Sequence, residues 1–146
     1  MKITIHTDPN LTETEIVVNC PGLNSETERI IAALRVMDSK ITVAKDQEIF
    51  VLDCAQIAYV EAVDRKTFVY TSKECFESKL KLYEMEEKLC GNGFIRVSKS
   101  CLVHLKFIKS VRNDVERKLR LTLTNGEQMM VSRQYAEEFK KRLGVL

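Results

Sequence analysis

Apolar, β-branched and aromatic residues in this chain come in short runs separated by turn-forming residues, and that rhythm excludes most folds. The clearest case lies near the C-terminus. Leu119, Leu121 and Leu123 alternate with Arg120, Thr122 and Thr124, the period of a strand with one face in a core and one in water. Asn125-Gly126 follows, the dipeptide best suited to a two-residue type I′ hairpin, and Gln128 to Val131 returns. Similar runs stand at Ile49–Leu52, Ile57–Glu61, Phe68–Thr71, Cys75–Ser78 and Phe107–Arg112, with Asp64-Arg65-Lys66-Thr67 as a further hairpin turn. Helical spacing in this part is confined to two short stretches. Leu82, Met85 and Leu89 form one stripe, with Gly91 as its C-cap. Ala136, Phe139 and Leu143 form the other, behind a capping Ser132. Strands this short and this numerous predict a mainly β, β-dominated α+β domain with short helices.

The first third reads differently. Lys2–Thr7 and Glu15–Cys20 have strand composition, separated by the turn signal Asp8-Pro9-Asn10. Ser25 with Glu28 three residues later makes a capping box, and Ile30, Ala33, Leu34 and Met37 fall on one helical face. Lys40–Ala44 is a short strand. Residues 1–46 are therefore expected to form a small ββαβ segment ahead of a main domain at 47–146.

Composition narrows the function. No apolar run reaches the roughly 18 residues of a membrane span, and the first ten residues lack a signal-peptide core, so no membrane insertion and a cytoplasmic location are expected. The five cysteines are odd in number and form no C-x-x-C, which argues against a disulfide framework or a zinc ribbon. Cys101 and His104 make a lone C-x-x-H, two ligands short of a metal site. With two His, no Trp and none of the common catalytic motifs, the chain is expected to be no enzyme and to need no cofactor. The net charge is only +2, but it is unevenly spread. Up to Glu48 there are five Lys/Arg against eight Asp/Glu; from Phe94 onward there are twelve against five. A footprint for a polyanion is local, so that gradient outweighs the total.

The cations gather around Phe94–Ile108, FIRVSKSCLVHLKFI, where Arg96, Ser98, Lys99 and Ser100 crowd ahead of an apolar strand. Upstream stands Tyr59-Val60-Glu61, then the short helix ending at Leu89; downstream come two strands and V-S-R-x-Y at Val131–Tyr135. This ordered set resembles the LytTR family of bacterial DNA-binding domains, over roughly Glu48 to Leu146. The resemblance implies an elongated stack of small antiparallel sheets whose loops enter successive major grooves of double-stranded DNA. Carried over by position, Lys99 and Arg133 are the candidates for reading bases, since both can donate to guanine O6 and N7. Arg96, Ser98 and Ser100 suit phosphates, and the turn Arg65-Lys66 is the third basic locus. Two residues depart from the family pattern: His104, where Asn is usual, and Lys99, where His is frequent. Family members often carry a phosphoacceptor receiver domain of about 120 residues, for which the first segment is too short. The expectation is a free-standing transcription regulator, a homodimer on repeated promoter sites, with the N-terminal segment as dimer or partner-protein surface. The alternative is a protein-binding adaptor that keeps the fold without DNA binding.

Overall fold

A computed structural model describes residues 1–37, 39–89 and 93–144. Cys90 and the expected C-cap Gly91 lie outside them. The chain divides into two compact units, Met1–Arg35 and Val36–Leu146.

The first unit corrects the ββαβ expectation. Residues 1–24 form neither helix nor strand. Lys2–Thr7 and Glu15–Cys20 have strand composition but no ladder to complete them. The turn between them does form: Asn10 N donates to Asp8 Oδ1 at 3.0 Å and Leu11 N to the Asp8 carbonyl at 3.2 Å. Helix α1 follows at Ser25–Met37. Its cap is Asn24, not Ser25. Asn24 Oδ1 accepts from Thr27 N at 2.9 Å and from Thr27 Oγ1 at 3.1 Å, and its carbonyl takes the first helical bond, from Glu28 N. An Asn side chain reaches the third helical N–H as well as Ser does, so the helix starts one residue earlier than the Ser25–Glu28 pair suggested.

The second unit is the strand-rich domain. In chain order it holds β1 (Lys40–Lys45), β2 (Glu48–Asp53), β3 (Ile57–Val63), β4 (Lys66–Thr71), β5 (Cys75–Ser78), α2 (Leu82–Leu89), β6 (Phe94–Ser98), β7 (Cys101–His104), β8 (Ile108–Asn113), β9 (Leu119–Leu123), β10 (Gln128–Val131) and α3 (Arg133–Leu143). Two antiparallel sheets result, one ordered β2-β1-β5-β4-β3-β7-β6 and one β10-β9-β8. The larger sheet is narrow at one seam, where β1 meets β5 only at Ala44 and Glu77.

Two cores hold these layers. Ile41, Val43, Val69, Met85 and Leu89 pack in the first, under α2; Leu119, Leu121, Val131 and Phe139 pack in the second, under α3 and the small sheet. The central strands serve both by alternation. Val60, Phe94 and Leu102 point into the first core, while Tyr59, Ile95 and Val103 point into the second. That is why Ile57–Val60 and Leu102–Val103 read as continuous apolar runs without a wet face.

His104 is part of this packing. It is 6% exposed, stacked on Phe94 at 4.4 Å between ring centres, with Nδ1 3.0 Å from the Ile57 carbonyl. A carbonyl only accepts, so Nδ1 carries the proton. The ring also fixes Gly93, which sits at φ +81° and where a Cβ would come within 3.3 Å of the imidazole.

The turns reverse one expectation. Asn125-Gly126 is not type I′, because Gly126 has positive φ and Asn125 does not. Gly126 N bonds the Leu123 carbonyl, and Asn125 Oδ1 accepts from Glu127 N at 3.0 Å. This is a type I turn closed by a glycine, whose side-chain bond holds Asn125 in place. The turns with two residues at positive φ are Asp46-Gln47, Asp64-Arg65 and Glu116-Arg117, none containing glycine.

Candidate nucleic-acid interface

The three basic loci lie far apart in sequence and meet through two backbone hydrogen bonds. Ala62 N donates to the Ser100 carbonyl at 2.8 Å, which joins the end of β3, next to its turn, to the β6–β7 loop. Ser132 N donates to the Val97 carbonyl at 2.8 Å, which seats the start of α3 against the end of β6, next to the same loop. Arg65, Lys66, Lys99, Ser100 and Arg133 are all exposed. The side chains of Arg65, Lys66, Lys99 and Arg133 make no hydrogen bond or ion pair to another described residue. All four cations are therefore free to meet a polyanion.

Arg96 differs. Its Nε donates to the Ser98 carbonyl at 3.0 Å, its Nη2 to the Lys99 carbonyl at 2.6 Å, and its Nη1 lies 3.4 Å from Glu86 on α2. The planar fork thus closes on the main chain of the loop that presents Lys99. Ser98 is also turned inward to the loop: its Oγ accepts from Ser100 N at 3.2 Å and lies 3.4 Å from Ser100 Oγ. Lys99 and Arg133 remain poised at element tips, whereas Arg96 and Ser98 shape the tip between them.

At the start of α3, Ser132 occupies the capping position without a side-chain cap bond, and Tyr135 N bonds its carbonyl. Docking of the helix comes from Ala136 and Phe139, 3% and 0% exposed, so Arg133 is carried on a seated element.

Sequence reasoning missed the support beneath the loop. Tyr59 Oη donates to Glu127 Oε2 at 2.8 Å and its ring stacks on Tyr70 at 4.3 Å, tying the β9–β10 turn to the central sheet. Burial, with Glu127 beside it, pushes the Tyr59 phenol well above its ordinary range. A cleft of about 440 Å³ opens there, between Tyr59, Glu61, Ser98, Glu127 and Met130. Its two carboxylates make it unfit for a phosphate. Cys101 lines the same cleft, and burial, reinforced by Glu61, pushes its thiol up to about 12. The one available signal for this support was Tyr-Val-Glu itself, whose Tyr and Glu share a strand face.

Residues 47–144 match the model of the LytTr DNA-binding domain. The chain belongs to the LytTR family. A solved LytTr DNA-binding domain from Bacillus cereus has a similar fold, with TM-score 0.69 and 32% identity, covering 73% of this chain and 97% of that one. An uncharacterized HTH-type transcriptional regulator of Staphylococcus aureus strain NCTC 8325 is 29% identical over 147 residues, 99% of each chain. Its counterpart in strain MRSA252 is 28% identical over the same length. The name of these relatives speaks of a helix-turn-helix. Among the described residues of this LytTR chain no two helices are consecutive, and its basic rim is made of two loops and one helix start. The strand-rich fold class expected from the sequence agrees with that domain.

Proposed function

We propose that this LytTR protein is a sequence-specific transcription regulator that binds promoter DNA through the rim formed by Arg65-Lys66, Ser98-Lys99-Ser100 and Arg133. The regulatory role in the names of its relatives extends to this chain. The observation that carries the reading is the convergence of three free cationic tips through Ala62 N–Ser100 O and Ser132 N–Val97 O. Lys99 and Arg133 read base edges. Arg65, Lys66, Ser100 and the free N–H groups at the start of α3 hold phosphates and set the register. Arg96 and Ser98 act through the loop they shape. Residues 36–146, which include β1, form the DNA-binding domain and residues 1–35 a separate segment for association. The protein works in the cytoplasm as a homodimer on paired half-sites, because one small module offers too little specificity. No helix of the described residues is long and apolar enough to cross a membrane.

Selection of bound duplexes from a random pool tests this reading. The expected result is one motif repeated at fixed spacing. Binding to a selected half-site should weaken steeply with salt, with a log–log slope of roughly −3 to −5 for three to five neutralised phosphates. A pool without enrichment, or a flat salt response, would replace this reading with the adaptor one.

A further inference from the structure

We infer that the outer face of the small sheet is a further DNA-anchoring surface, on which Arg112 and Arg117 hold backbone phosphates flanking the half-site, beyond the base met by Arg133. The inference rests on the rim reading above and extends it. Its starting point is a like-charge pair. Arg112 on β8 stands directly opposite Arg120 on β9, and Arg120 opposite Met130 on β10. Leu119, Leu121 and Leu123 pack in the second core, so by alternation this row lies on the other face of the sheet. Like charges directly opposite each other weaken a ladder.

One member of the pair is neutralised within the domain. Arg120 Nε donates to Asp114 Oδ2 at 2.8 Å, and its Nη1 to Gln128 Oε1 at 3.2 Å. The other oxygen of Asp114 is engaged too, accepting from Val115 N at 2.7 Å. Arg112 is left exposed, with no hydrogen bond or ion pair to another described residue. Arg117 is exposed and equally free, in a turn where it and Glu116 take positive φ. Lys118 differs, lying 3.8 Å from Glu116. A local rule broken without internal compensation marks a functional site, where a ligand supplies the compensation. Here the missing charge is negative. From Ile108 to Arg120 there are five Lys/Arg against two Asp/Glu, an excess that suits a polyanion.

Position selects DNA as that polyanion. β10 has β6 on one side, where Ser132 N bonds the Val97 carbonyl, and β9 on the other, where Val131 pairs with Leu119. Val131 leads through Ser132 into Arg133, and Leu119 follows the β8–β9 turn, which lies against α3. The turn carrying Arg117 and the helix start carrying Arg133 therefore leave the small sheet at the same end. Arg112 is two strands away from β10, about 10 Å. Phosphates recur about every 3.4 Å along one DNA strand, so that distance spans about three base pairs. The added contacts fall on the flank away from the base read by Lys99, because β6 and β9 lie on opposite sides of β10.

Competition binding of the full chain to two duplexes tests this. One is the selected half-site with long flanks; the other ends at the base pair whose preference Arg133→Ala relaxes. On the long duplex, Arg112→Ala and Arg117→Ala should each weaken binding about 3- to 10-fold at every base variant and shrink the salt slope by about one. Arg112→Lys should keep most of the affinity, since a phosphate accepts a point charge. On the trimmed duplex all three variants should bind as the parent does. The melting temperature should hold, or rise for Arg112→Ala as the like-charge pair is relieved; a fall would make Arg112 structural and overturn its assignment. Inorganic phosphate should compete no better than chloride at matched ionic strength, whereas stronger competition would mean a single-anion site and overturn the inference. Equal losses on both duplexes would mean a general field and no contact. If Arg112→Ala and Arg117→Ala bind the long duplex as the parent does while Lys99→Ala still alters one base preference, the small sheet lies off the DNA and the rim reading stands without it. If no duplex is enriched at all, the rim reading and this inference fall together.

Discussion

The β3–β4 turn and the β6–β7 loop are neighbouring two-residue tips of one sheet, and they are held by opposite means. In the first, Asp64 and Arg65 both take positive φ, the conformation whose twist matches that of the flanking strands. Backbone geometry alone sets this tip, and the side chains of Arg65 and Lys66 are left free. In the second, neither Lys99 nor Ser100 takes positive φ. Such a turn splays its strands. Here the pairing register shifts between Arg96 and Ser98, and side chains bind the loop: Arg96 on the Ser98 and Lys99 carbonyls, Ser98 Oγ on Ser100 N. The difference teaches what each tip is fitted for. A loop clamped at its carbonyls can aim a donor at one base edge, which direct readout demands. A turn with free arms supplies charge to phosphates, where aim matters less.

The largest effects should therefore come from the aimed donors. Lys99→Ala and Arg133→Ala should each cost about 1–3 kcal/mol at the preferred site and relax the preference at one base position. Both side chains are exposed, so the melting temperature should hold. Competition with every single-base variant of the selected site measures this. An even loss across all variants would place both residues on phosphates and remove the distinction between the two tips.

A middle-sized effect separates clamp from charge. Arg96→Lys keeps a cation but loses the fork that spans two carbonyls. The expected loss is about 1–2 kcal/mol of affinity for the preferred site, from loosening of the loop. Discrimination should fade at the position read by Lys99 and persist at the position read by Arg133. If Arg96 met a phosphate as a point charge, Lys would retain most of the affinity, and the base preferences would stay intact.

The sequence showed most strands of the second unit and both helical stripes, because periodicity and composition are local. Leu82, Met85 and Leu89 are 6%, 0% and 0% exposed, as their spacing required. It could not show which strand runs would find a ladder. Lys2–Thr7 has the same alternation as Leu119–Leu123, but pairing is a property of the partner, and the first run has no strand partner among the described residues. Turn type was misread for a related reason. The Asn125-Gly126 pair suggested type I′, yet Asn125 is held at negative φ by its own side-chain bond, while three pairs without glycine take positive φ. Propensity is weak against a register already fixed by two buried faces. Candidate site residues could be proposed from motif position. The sharing of labour among them could not, because Arg96 and Lys99 look alike as cations until the carbonyls are placed.

The smallest effect bears most directly on the comparison, because it moves two readouts in opposite directions. Arg65 sits at φ +68°, a conformation that costs a side chain about 1 kcal/mol and glycine almost nothing. Arg65→Gly turns Asp64-Arg65 into Asp-Gly, the pair best suited to this hairpin. Relief of strain, less the extra freedom of glycine in the unfolded chain, should leave a gain of about 0.5 kcal/mol, or roughly 2–4 °C in melting temperature. Affinity should fall at the same time, evenly across base variants, and the salt slope should shrink by about one. A stable variant that binds DNA less tightly at every site would show that this tip supplies charge and not aim. Were the loss confined to one base position, Arg65 would be a reader despite its unclamped loop. Were affinity unchanged, the β3–β4 turn would lie off the duplex, and the interface would reduce to the two tips joined by Ser132 N and the Val97 carbonyl.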